Sequence, residues 1–225
     1  MKGLILAAGR GSRLGIQTAD KPKCMTILAG KPILGWILES MHAAGINDIG
    51  LVRGYLGDTL PSEGISYFEN ARWAETNMVY SLCCASSWLE SGTTLVSYSD
   101  IVYPKTTIDV LAAAEGDIVI SYNTEWLEIW KARFDDPFSD AETFILDEKG
   151  LLIEIGKKPT SIEQVHGQYM GLLKITPKGW SKILKYLDTL GNAKVDKLDC
   201  TSLLNGLISE EFTFIQFLFP VSGMK

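Results

Sequence analysis

Short β-branched or apolar runs that alternate with segments of helical period predict an α/β fold, a doubly wound mixed sheet flanked by helices. Two further observations agree. The 225 residues make one and a half times the usual domain length of about 150, so they form a single domain with at most a small appendage. The first run, residues 3–8, is almost continuously apolar, as a parallel strand covered on both faces should be. With 46% apolar and 21% charged residues the chain can bury a large core, and disorder is excluded. A Rossmann-like sheet carrying a small lid satisfies all of these.

Each element has its own signal. The strand at 3–8 is followed by a glycine-rich loop and a short apolar run at 26–28. The Gly30-Lys31-Pro32 turn then opens a helix over 33–44, and Gly45 closes it. A strand at 49–53 follows. Asn77 or Thr76 caps a helix over 78–89, which the Ser91-Gly92 turn ends. Next come a strand at 94–98 ending in Ser99-Asp100, a helix near 107–114 and a strand at 117–122. From Glu125 the texture changes to aromatic, with Trp126, Trp130, Phe134, Phe138 and Phe144. Residues 145–146 and 151–155 around Glu148-Lys149-Gly150 then read as a hairpin. A strand at 169–175, helices at 177–190 and 201–209, and a last strand at 212–219 complete the chain. The expected division is 1–124 and 125–225 within one domain, with the lid hairpin at about 140–156.

The charge sum, 21 cationic against 27 anionic side chains, is −6, which excludes a broad electrostatic grip on nucleic acid. The apolar run near the start spans five residues, too few for a membrane span or a secretion signal. Cys24, Cys83, Cys84 and Cys200 form no CxxC pair, and only two histidines are present, so a zinc site is not expected. The cysteines read as reduced thiols of a cytoplasmic protein.

The first loop carries the chemistry. Leu6-Ala7-Ala8-Gly9-Arg10-Gly11-Ser12-Arg13-Leu14 follows a buried strand, where doubly wound sheets present ligands. The dinucleotide fingerprint fails at Leu14, and the Walker pattern fails for want of Gly-Lys-Ser/Thr. What remains is a glycine turn whose exposed N–H groups can approach an anion, with Arg10, Arg13, Lys21 and Lys23 within fourteen residues. Such a concentration in an acidic protein fits a polyphosphate.

These residues, L-A-A-G-x-G-S-R-L followed by Lys21-Pro22-Lys23, resemble the signature of the GT-A-like nucleotidyltransferases, which join a nucleoside triphosphate to a phosphorylated acceptor and release pyrophosphate. The resemblance implies nucleotide contacts at Leu6, Ala7, Ala8, Gly9, Gly11, Ser12, Arg13 and Lys23, with Lys23 and Arg13 polarising the triphosphate. It also implies that Asp100, at the end of its strand, holds catalytic Mg²⁺, with Mn²⁺ as a substitute. Asn77-Met78-Val79-Tyr80-Ser81-Leu82 resembles the Asn-x-x-Tyr-Ser-Leu segment of cytidylyltransferases that act on small phosphorylated alcohols. CTP is then the donor, and Asn77 and Ser81 lie beside its base.

Sugar-nucleotide members of the family carry Glu-Lys-Pro, where this sequence has Lys157-Lys158-Pro159. Lys158 keeps the phosphate-holding role, whereas Lys157 cannot accept hydrogen bonds from sugar hydroxyls. The acceptor region comprises Trp126, Trp130, Arg133, Asp140, Glu142, Lys158, Tyr169 and Gly171. Aromatic faces beside carboxylates suit a cationic head, as in phosphocholine, aminoalkylphosphonates or phosphoglutamine. The product would feed cell-surface polysaccharide or lipid synthesis.

Small-alcohol cytidylyltransferases usually carry a Trp-x-Glu-x-Asp segment after the last strand, and the sequence ends at Val221-Ser222-Gly223-Met224-Lys225, ahead of it. Asp199 is the carboxylate available to replace that metal ligand, although it also fits a helix cap. The alternatives are a sugar-1-phosphate enzyme using UTP or dTTP, and a catalytically weak nucleotide-binding module. A homo-oligomer is left open.

Overall fold

A computed structural model describes residues 1–12, 15, 18–61 and 63–209, and the backbone of 215–219. Strand β1 (Lys2–Ala7) leads through the glycine loop to the hairpin β2 (Ile27–Leu28) and β3 (Lys31–Pro32), then to helix α1 (Ile33–Ala43) and β4 (Ile49–Arg53). An edge strand, β5 (Ile65–Glu69), precedes two short helices, α2 (Met78–Cys84) and α3 (Ser86–Glu90). After β6 (Thr94–Tyr98) come α4 (Lys105–Ala113), β7 (Ile118–Asn123) and α5 (Trp126–Arg133). The hairpin β8 (Phe144–Leu146) and β9 (Leu152–Ile155) leads to β10 (Gln168–Ile175), α6 (Pro177–Leu190), α7 (Asn192–Val195), α8 (Cys200–Ser209) and β11 (Ile215–Phe219).

The main sheet has the order β11-β7-β10-β6-β1-β4-β5, with β10 antiparallel to both its neighbours and every other pairing parallel. It is therefore a mixed doubly wound sheet, as the sequence predicts. From β1 the chain winds outward to β4 and β5, then returns to β6 on the other side. The carboxyl end of β1 is thus a point where the winding direction reverses, and ligands bind in the crevice at such points.

Alternation along β1 builds the core. Leu4 and Leu6 face one layer, with Val79, Leu82, Val96 and Trp180. Ile5 and Ala7 face the other, with Leu34, Ile37, Met41 and Leu111.

Four elements differ from expectation. Residues 78–89 do not form one helix, because Ala85 leaves helical geometry at φ −106°, ψ 25° and Ser86 starts a new turn. The Ser86 hydroxyl accepts a bond from the Trp180 indole at 2.8 Å, so packing fixes the break. β5 is an additional strand, the aromatic stretch, for which the sequence predicts no element, forms helix α5, and the short α7 is a further helix between the two predicted ones. Of the predicted last strand, residues 212–214 lie outside the described part.

Candidate active site

The loop after β1 begins with buried Ala8 and then exposes Gly9 and Arg10. Arg13 lies outside the described residues, so its expected position is not on view. Lys23 opens a 3-10 turn (Lys23–Met25) whose middle residue, Cys24, is fully buried and anchors it. The aliphatic stem of Lys23 lies against Gly11, and its Nζ is paired with Oδ2 of Asp100. Both side chains are 32% exposed, so the pair is open to a ligand.

Register explains the meeting. β1 and β6 are parallel neighbours with Leu6 opposite Tyr98, so Ala8 and Asp100 leave the sheet side by side. Ser99 replaces the glycine of the family pattern without strain, since Ala29 and Leu56 are the non-glycine residues with positive φ among those described.

One cavity adjoins Asp100, and a second shares a wall with the first. The first, of about 320 Å³, is lined by Asp100, Arg133, Trp130, Tyr98, Tyr169 and Gly171, among others. The other, of about 380 Å³, is lined by Asn77, Asp140, Glu142, Asp199 and Thr201, together with the same Tyr98, Trp130 and Tyr169. The rings of Tyr98 and Tyr169 meet edge to face at 5.9 Å and form part of the shared wall. Burial pushes both phenols well above their ordinary pKa, so they remain protonated. Tyr98 also bonds to Cys200, whereas the Tyr169 hydroxyl and the Trp130 indole N–H are buried without a hydrogen-bond partner among the described residues.

A bulge shapes this wall. Pairing of β10 with β7 shifts between Tyr169 and Leu173, and Gly171 sits in the shift at φ +73°. A Cβ there would stand 2.5 Å from the Tyr98 ring, so only glycine lets the strand bend over that ring.

The second cavity is acidic. Burial raises the Glu142 pKa, the Thr201 hydroxyl opposes this, and the charges of Asp199 and Asp140 raise it further. Arg133 is exposed and lies over Trp130 (5.4 Å) and Phe134 (5.2 Å), with no carboxylate partner among the described residues.

Other predicted residues are occupied. Lys158 donates to the carbonyls of Phe138 and Ser139 and lines neither cavity. Trp126 is 3% exposed, donates to the Val165 carbonyl at 3.1 Å, and supports Trp130 from below. Asp199 accepts from the Ser202 N–H at 2.7 Å and the Thr201 hydroxyl at 3.2 Å, as a helix cap does. Asn77 caps α2 through the Met78 N–H and donates to the Lys197 carbonyl. Ser81 is buried and accepts from Asn70 at 3.0 Å. Sequence reasoning missed Tyr98 and Asn70, because a strand's last residue and a buried turn residue carry no local sign of their neighbours.

The model of the MobA-like NTP transferase domain matches residues 3–169. The CTP:phosphoglutamine cytidylyltransferase of Campylobacter jejuni is 34% identical over 226 residues, covering 93% of this chain and 89% of that protein. The choline-phosphate cytidylyltransferase of Streptococcus pneumoniae is 36% identical over 86 residues, 36% of this chain and 38% of its own length. Among solved structures, the inositol-1-phosphate CTP transferase from T. maritima superposes with a TM-score of 0.71 at 18% identity, over 96% of this chain and 84% of its own, a likeness of fold.

Proposed function

The chain belongs to the MobA-like NTP transferase domain family and is a nucleotidyltransferase, and from that premise we propose that it transfers CMP from CTP to a small phosphorylated acceptor, releasing pyrophosphate. The observation that carries the reading is the Lys23 ammonium on the Asp100 carboxylate, beside a cavity into which Arg133 brings a further cation. Cytidylyl transfer is favoured by the 34% identical relative named for that reaction and by the Asn77 to Leu82 segment.

In this reading the backbone from Leu6 to Ser12, with Arg13, receives the triphosphate, and Lys23 follows the charge that develops on its phosphates. Arg133 takes the acceptor phosphate, since the Lys158 ammonium is already held by two carbonyls. The acceptor's body enters the acidic cavity, where Glu142, Asp140 and Asp199 beside Trp130 and Tyr169 favour a cationic group. An acceptor phosphate oxygen attacks the α-phosphorus in line and pyrophosphate leaves. Positioning and charge neutralisation supply the catalysis, and no covalent enzyme intermediate is formed. Asn77, whose amide caps α2 and bonds to the Lys197 carbonyl, acts with Ser81, engaged by Asn70, to position the segment assigned to the base.

The family generally uses divalent ions, and Asp100 fits one. Among the described residues no group of three or more acidic, histidine or cysteine side chains is arranged to hold a metal ion by itself. A single exposed carboxylate supplemented by phosphate oxygens and water matches the way Mg²⁺ is usually held in such sites. When bound, Mg²⁺ or Mn²⁺ would neutralise phosphate charge. No helix among the described residues is long and apolar enough to cross a membrane, and the reading assigns the chain to the cytoplasm, making an activated precursor for surface polysaccharide or lipid. Residues 1–124 serve the nucleotide and 125–225 mainly the acceptor. Lys157, paired with Glu154, cannot accept hydrogen bonds from sugar hydroxyls as the glutamate of sugar-nucleotide members does, which weighs against a sugar-1-phosphate acceptor.

Pyrophosphate release measured with CTP, Mg²⁺ and a panel of phosphorylated acceptors tests the proposal. Lys23→Ala is expected to lower kcat by about 10²–10³, and an unimpaired variant refutes the role given to Lys23. Turnover with UTP or dTTP exceeding that with CTP refutes the cytidylyl assignment.

A further inference from the structure

A residue outside every motif ties the phosphate loop shut. Gly54 and Tyr55 follow β4 directly, and the Tyr55 N–H donates to the carbonyl of Ala8, where the loop leaves β1. The Tyr55 hydroxyl donates at 2.9 Å to the carbonyl of Ala19, where the loop returns toward Lys23. The guanidinium of Arg10 lies over the Tyr55 ring, 5.4 Å from its centroid. One residue thus touches the entry through its backbone, and an exposed cation and the exit of the same loop through its side chain.

Its own position is fixed from behind. The Tyr55 ring meets Trp73 edge to face at 5.2 Å. A Cβ on Gly54 would stand 2.7 Å from the Trp73 Cβ and 2.8 Å from the Ala8 carbonyl oxygen, so the absent side chain permits the close approach. Trp73 in turn belongs to the turn after β5 that Asn70 organises, through bonds to the Thr76 and Ser81 hydroxyls and the Arg72 N–H.

We infer that Tyr55 is a positioning residue for the triphosphate tail: it spans the mouth of the loop and holds the two stems at the spacing that presents backbone N–H groups and Arg10 to the β- and γ-phosphates. This rests on the loop being the triphosphate grip. A residue that merely stabilised the fold would affect all ligands alike, whereas a strut across this loop acts on the phosphate tail and spares the nucleoside monophosphate part.

Calorimetric titration of CTP and of CMP into the full chain separates the two. Tyr55→Phe keeps the ring beneath Arg10 and the backbone bond but removes the bond to Ala19. It should weaken CTP about three- to tenfold and leave CMP unchanged, with an unaltered melting temperature. Tyr55→Leu removes the ring as well and should weaken CTP further. Equal losses for CTP and CMP, or unchanged CTP binding in Tyr55→Phe, overturn the inference. Lys23→Ala titrated in parallel guards the premise. Weakened CTP binding in Lys23→Ala with none in Tyr55→Phe overturns the strut alone, and no weakening in Lys23→Ala overturns the phosphate-loop reading together with it.

Discussion

Glu142, to which we assign the acceptor's cationic group, is held in the cavity at the expense of the fold. Burial raises its pKa, and the negative charges of Asp199 and Asp140 push in the same direction. A carboxyl whose folded pKa exceeds its unfolded value binds more protons when folded. Stability therefore declines as pH rises from the ordinary glutamate range through the folded pKa, and the cost persists at neutral pH. Glu142→Gln removes that cost. We expect it to raise the melting temperature at pH 7, to flatten the stability profile over this window, and to raise KM for a cationic acceptor while leaving KM for CTP unchanged. Thermal melts from pH 4 to 8 and acceptor kinetics check the three together. A variant that melts lower at pH 7 would show that Glu142 stabilises the fold through the Thr201 hydroxyl instead.

At the scale of elements, β10 does the most to shape the acceptor side. The Gly171 bulge lets Tyr98 and Tyr169 meet edge to face, and both cavities use that wall. Gly171→Ala would place a side chain in a left-handed conformation and against the Tyr98 ring, so we expect a loss of roughly 1–3 kcal/mol in stability. KM should rise for the acceptor and not for CTP, whose loop lies across β6. Denaturant unfolding and separate KM measurements test both effects. Such features are faint in a sequence. β1 and its loop are legible because a strand covered on both faces reads as one apolar run and the loop has few residue choices. β5 is an edge strand exposing Ser66 and Glu69, so it lacks that run. In α5 the i, i+4 spacing of Trp126 and Trp130 was available, yet the aromatic content suggested a lid. The break at Ala85 depends on Trp180, nearly a hundred residues away along the chain. The occupation of Lys158 by carbonyls depends likewise on how 137–139 folds back.

The whole molecule divides its labour between the two ends of one sheet. The parallel strands β1, β4 and β6 point their carboxyl ends at the cavities and the Lys23–Asp100 pair. β10 runs the other way, pairing Ile175 with Ile118 and Thr94 at the amino ends of β7 and β6. Helix α6 therefore starts at the edge away from the site, and it inserts Trp180, with no exposed surface, into the core layer shared with Leu4 and Val96. The Trp180 indole also bonds to Ser86, joining α6 to α3. Trp180→Ala should cost about 3–5 kcal/mol. For a chain of this length that lowers the melting temperature by roughly 6–20 °C. The fraction that stays folded at low temperature should keep wild-type KM for CTP and acceptor, because nothing at the carboxyl edge has moved. Lys23→Ala should do the opposite and lower kcat by about 10²–10³ at an unchanged melting temperature, since the pair it breaks is solvent-exposed and worth little to stability. Melting curves and steady-state kinetics on both variants test this separation. A Trp180→Ala enzyme with a raised KM below its melting transition would mean that the core layer also sets the geometry of the site.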